Sequence, residues 1–179
     1  RRLYNLQEKD GLFKYFGEDA IMKIQTSRFG ILDVLDQTLL IFPSGLVGFS
    51  ALRRFVVLDA AVDSDYQWLQ SVEESSLAFV IVDAHLLQQD FRVEIPDEGL
   101  MELELTQTDP VTIMAVVTIP SGKPEQATAN LRAPLVVNLR TRKGKQLILH
   151  ESNPLRYPLL QAPAEGQPHH TDVTESASV

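Results

Sequence analysis

The chain contains no cysteine. Disulfide frameworks, thiol catalysis and thiolate zinc sites are therefore excluded, and a reducing compartment fits best. No apolar run approaches the roughly 20 residues that a membrane-crossing helix needs. The first residues lack the basic-then-apolar layout of an export signal, because Glu8, Asp10, Glu18 and Asp19 interrupt it. A cytoplasmic location is the expectation, with no membrane contact. Basic residues are in deficit: 16 Lys and Arg stand against 24 Asp and Glu, a net charge of −8. An acidic chain repels phosphate backbones, so direct nucleic-acid binding is disfavoured and a basic protein partner is favoured. Phosphate-cradling glycine loops are missing too, since neither Gly-Lys-Ser nor Gly-x-Gly follows Gly45 and Gly48. No serine lies in a Gly-x-Ser-x-Gly elbow.

What is present is the material of one β-rich domain. At 179 residues and 44% apolar, the chain can bury a real core. Residues 1–21 differ from the rest and are set apart as an N-terminal extension of uncertain origin. Residues 22–160 form the domain. Residues 161–179 carry almost no bulky aliphatics and are expected to be a disordered acidic tail. Candidate strands cover 23–28, 38–42, 55–59, 77–82, 111–119, 127–131, 135–138 and 146–150. They are rich in Val, Ile, Leu, Phe and Thr, and are bounded by turn residues such as Pro43-Ser44-Gly45 and Pro120-Ser121-Gly122. Many short strands with such turns predict a mainly β fold: a compact antiparallel β-barrel-like domain with a few short helices. Ser71-Val72-Glu73-Glu74 has capping-box spacing, Asp83 suits a cap for residues 84–87, and Pro96-Asp97-Glu98 suits a first helical turn.

Residues with catalytic potential do not converge. His169 and His170 sit in the tail, and His150 reads as a surface residue. His85 follows a capping Asp83 with no third ligand. No catalytic residue, metal site or cofactor is expected. Glu102 and Glu104 alternate with Met101, Leu103 and Leu105, which reads as the wet face of a strand. The single basic run, Arg140 to Lys145, straddles a predicted hairpin turn and reads as a solvated tip; its rival reading is a nucleic-acid contact through Arg140, Arg142, Lys143 and Lys145.

Four segments carry more information. Ile24 to Gly30 opens the domain. Phe42-Pro43-Ser44-Gly45-Leu46-Val47-Gly48-Phe49 is a loop whose glycines permit a tight turn. Trp68-Leu69-Gln70-Ser71 leads into Leu77-Ala78-Phe79. Ala129-Asn130-Leu131-Arg132-Ala133-Pro134 joins two strand-like halves, with Pro134 removing a ladder donor and Asn130 able to bond backbone at a bend. In this order, and over most of the chain, these segments resemble the FliW family of bacterial flagellar assembly factors. The resemblance implies a β-barrel that binds two proteins and is not an enzyme. One partner is flagellin, held before export. The other is CsrA, an RNA-binding repressor of flagellin translation, which a FliW-like protein antagonises. The expected partner-binding residues are Phe42, Gly45, Phe49, Trp68, Gln70, Asn130 and Pro134, with Phe49 and Trp68 the leading contacts because aromatics dominate interface hot spots. The competing reading is a small-ligand-binding or enzymatic β-barrel, which would need a deep pocket with convergent polar groups.

Overall fold

The computed structural model describes residues 20–160. The extension, apart from its last two residues, and the tail lie outside that range.

The described residues open with a two-stranded hairpin, β1 (Ile21–Thr26) and β2 (Gly30–Leu35). Its turn is held by Thr26, whose hydroxyl accepts from Phe29 N at 2.9 Å and donates to Gly30 O at 2.9 Å. Period-2 alternation sends Met22, Ile24, Leu32 and Val34 inward, where they pack with Leu39, Val56 and Leu58. Lys23 and Asp33 face outward and pair at 2.6 Å.

Under the hairpin runs one large antiparallel sheet. It proceeds through β3 (Leu39–Ile41), β4 (Arg54–Asp59), β5 (Tyr66–Ser71), β6 (Ala78–Asp83), β7 (Val111–Thr118) and β8 (Thr128–Asn138). β9 (Gly144–Gln146) and β10 (Tyr157–Pro158) flank opposite halves of β8. The sheet nearly closes on itself where Ile41 N donates to Arg142 O at 2.9 Å, beside a bridge between Ile41 and Lys143. The predicted barrel-like architecture is the one observed. Its centre is packed with Leu40, Phe42, Phe55, Val57, Leu69, Ile81, Met114, Leu135 and Val137. Phe42 and Phe55 meet edge to face at 5.5 Å. Each such side chain contributes about 1.5–3 kcal/mol by leaving water.

The two halves expected around Asn130 and Pro134 are parts of one strand, β8. Val116 pairs with Asn130 and Met114 with Leu135, so Ala115 alone faces the four residues Leu131 to Pro134. Three surplus residues, an odd number, reverse the strand's facing. Ala129 and Leu131 pack outside the barrel, whereas Leu135 and Val137 fill its centre. The outer side is covered by α1 (Ala84–Leu87), Phe91, Val93, Tyr157 and Leu159.

Several local expectations need correction. β2 and β5 had no counterpart among the candidate strands. Ser71 does accept from Glu73 N and Glu74 N, at 3.2 and 3.0 Å, as a cap would. No helix follows; the same bonds tighten the turn between β5 and β6, and the Glu74 carboxylate goes to Ser76. The strand expected at 146–150 is displaced to β9. Residues Leu147 and Leu149 instead donate to Pro134 O and Arg132 O in the bulge of β8. Glu102 is not on a strand: it ends α2 (Asp97–Glu102), and Glu104 turns left-handed at φ 50. The capping role of Asp83 holds, with His85 N donating to it at 2.9 Å.

Candidate functional site

The seven residues singled out from sequence fall into two separate places. Phe42, Gly45, Phe49, Asn130 and Pro134 belong to the neighbourhood of the loop 42–49 and the bulge of β8. Gly45 has φ +68, and a Cβ there would meet Phe49 O and Ser50 Cα at 2.6 Å, so only glycine lets the loop close. Gly45 N donates to Phe42 O and Phe49 N to Leu46 O, at 2.9 and 2.8 Å. Gln146 ties the loop to the bulge: its Oε1 accepts from Val47 N at 2.9 Å, and its Nε2 donates to Ala133 O at 3.0 Å. Asn130 Oδ1 accepts from Arg132 N and Ala133 N, both at 3.0 Å, which is the backbone bonding its position suggested. Phe42, Gly45 and Pro134 are buried and shape this surface. Phe49 is 37% exposed and leans on Phe79 at 5.4 Å, while Val47 and Ile148 are 64% and 68% exposed.

A polar lock secures the same part of the molecule. Asn138 is fully buried; its amide donates to Leu103 O and to Asp109 Oδ2, both at 3.1 Å. Arg140 grips Asp109 through Nε at 2.7 Å and Nη2 at 3.0 Å. The Arg140 guanidinium, helped by Thr106 N–H, holds the Asp109 carboxyl well below the usual carboxylate range. Burial pushes Glu102 up, but hydrogen bonds from Lys145 and Ser44 outweigh it and leave the carboxyl lowered. Lys143 binds Glu104 at 2.6 Å. The basic run is therefore not a solvated tip: three of its cations are spent on carboxylates, which removes them from phosphate recognition. Arg142 is half-buried, and desolvation lowers its pKa.

Trp68 and Gln70 stand elsewhere, on the outer wall of β5. Phe29 meets the Trp68 ring edge to face at 6.1 Å, and the Arg28 guanidinium lies 4.2 Å above it. Gln70 is 1% exposed and directs its Nε2 at the carbonyls of Ser71 and Leu77, 2.9 and 3.0 Å away. Neither Gln146 nor, individually, Arg28 and Phe29 are among the residues singled out from sequence. Gln146 acts through contacts distant in the chain, whereas Arg28 and Phe29 could have been suspected from their place at a turn ending in glycine.

No group of His, Asp or Glu among the described residues could hold a metal ion. No helix among them is long and apolar enough to cross a membrane.

A family model described as FliW protein matches residues 23–159, the hairpin and barrel together. The chain belongs to the FliW family. Curated relatives are named flagellar assembly factor FliW. The flagellar assembly factor FliW of Syntrophus aciditrophicus (strain SB) is 36% identical over 141 residues, covering 78% of this chain and 89% of that protein. That of Thermosipho africanus (strain TCF52B) is 38% identical over 128 residues, covering 72% and 88%. A crystal structure of the flagellar assembly factor FliW superposes with a TM-score of 0.70 at 28% identity, covering 78% of this chain and 98% of that one. The FliW match thus takes in both places described above, the loop with its β8 clamp and the Trp68 wall.

Proposed function

We propose that this FliW-family protein is a cytoplasmic flagellar assembly factor that binds flagellin and antagonises the translational repressor CsrA. The observation that carries the reading is the family match across the whole hairpin and barrel, residues 23–159. Three physical features support it. The barrel centre is filled by aliphatic and aromatic side chains, so chemistry has to take place on the outside. The loop 42–49 is braced by Gln146 and Glu102, which lets Val47 and Phe49 meet a partner with little ordering cost. The net charge of −8 favours encounter with a basic RNA-binding protein. Export of flagellin would release the protein to act on CsrA.

Pull-down and calorimetry with purified flagellin and purified CsrA at low salt test the reading. Binding of each is expected, weakened by added salt for CsrA. If neither protein binds, the adaptor function is wrong.

A further inference from the structure

The hairpin leaves one edge of its backbone unused. Asp36 N donates to Ala20 O, and antiparallel pairing alternates from there. Met22, Ile24 and Thr26 therefore point their N–H and C=O groups at β2. Ile21, Lys23 and Gln25 point theirs the other way, as does Ser27, whose N–H reaches Ser75 O at 2.9 Å. β1 pairs only with β2, so among the described residues the outward groups of Ile21, Lys23 and Gln25 have no partner. Side chains at all three positions are exposed. Lys23 would ordinarily guard such an edge, but its ammonium is bound by Asp33 across the hairpin.

Where this edge ends, a cleft of about 430 Å³ opens between the hairpin tip and the β5–β6 turn, lined by Ser27, Arg28, Gln70, Ser75, Ser76 and Ala78. Gln70 has its amide orientation fixed, because Nε2 faces the carbonyls of Ser71 and Leu77. Its buried Oε1 has no donor among the described residues, and a buried acceptor favours acquiring one. Arg28 supplies guanidinium donors whose only described contact is the Trp68 face.

We propose that β1 is a strand-addition site for an extended peptide segment of another protein. The segment's backbone continues the hairpin along Ile21, Lys23 and Gln25. Alternate side chains, apolar ones, lie against the barrel wall beside Met22 and Ile24. Its end in the cleft carries an acidic group for Arg28 and an N–H for Gln70. Unpaired strand groups select an extended backbone over a helix, and the guanidinium selects the acid. This site is separate from the loop 42–49 and does not depend on the identity of the partners proposed above.

The probe is a synthetic ten-residue peptide of alternating Val and Thr with a glutamate at each end, added to the full chain. Amide exchange at Ile21, Lys23 and Gln25 is followed by NMR. Exchange there is expected to be fast in the free protein and to slow at least tenfold with peptide. N-methylation of alternate peptide amides on one edge should weaken binding at least tenfold without altering the protein. Gln25→Pro, which deletes an outward N–H, should do the same, and Arg28→Ala should weaken binding severalfold. The proposal fails if the peptide binds without protecting these three amides, or does not bind. It also fails if the amides are already protected in free protein, by residues 1–19 or by a second copy of the chain.

Discussion

Two regions of this protein's surface are finished differently. Around the loop 42–49 the polar groups are tied: Gln146 spans loop and bulge, Asn138 bonds on both sides of its amide, and Lys145 is held by Glu102. Along the hairpin edge and at Gln70 on the wall beneath it, backbone groups and a glutamine oxygen are without partners among the described residues. The braced surface presents side chains, Val47 and Phe49 among them. The hairpin edge presents main chain that is unpaired among the described residues. One small domain thus carries two differently built surfaces, and the difference between them can be measured.

The sharpest contrast uses alanine at two left-handed glycines. Gly45→Ala meets backbone atoms at 2.6 Å and is expected to destabilise by about 2–4 kcal/mol. Gly30→Ala has nothing within 4 Å and should cost only the conformational penalty, about 1–2 kcal/mol. Urea midpoints for the pair decide; equal losses would mean that the loop is no more rigid than the hairpin turn.

Acid should attack the braced region selectively. The Asp109 carboxyl is held below its unfolded value near 3.9, so its contribution is present above that value and is lost as pH falls toward the folded one. Denaturation of wild type and Asp109→Asn at a series of pH values should show a gap in midpoint that is constant above about pH 5 and narrows steadily as pH falls below it. A gap independent of pH would place the effect outside this ion pair.

Removing the clamp comes next. Gln146→Ala frees Val47 N and Ala133 O and is expected to cost about 1–2 kcal/mol. It should also weaken whichever partner uses Phe49, and a calorimetric titration would show it. The smallest effect belongs to the hairpin: Lys23 and Asp33 are 73% and 61% exposed, so Lys23→Ala should change stability by less than about 0.5 kcal/mol.

The barrel was legible in the sequence because its strands are short, apolar and closed off by turn residues. Where the reading failed, a local pattern had two physical outcomes. Ser71 and Glu74 have the spacing of a helix start, and the hydroxyl does bond the two amides; packing between β5 and β6 makes the result a turn. Glu102 to Leu105 alternates like a strand, yet a single helical turn followed by a left-handed residue buries Leu103 just as well. The loop glycines and the bend at Asn130 announced themselves, since each serves its immediate neighbours. Gln146 did not, because its role exists only once remote segments meet. Phe42 and Phe49 look alike in sequence; one fills the barrel and the other leans out over Phe79.

The extra three residues in β8 act like a change of reading frame within a strand. Delete one residue between Asn130 and Leu135, and every later position exchanges inside for outside: Leu135 and Val137 would swing against the outer cluster of Leu103 and Leu147, and Val136 toward the centre. Loss or gain of two residues would restore the phase. Evolution or engineering can therefore alter the identity of residues in this short stretch more freely than their number, and the parity of its length is itself an inherited trait.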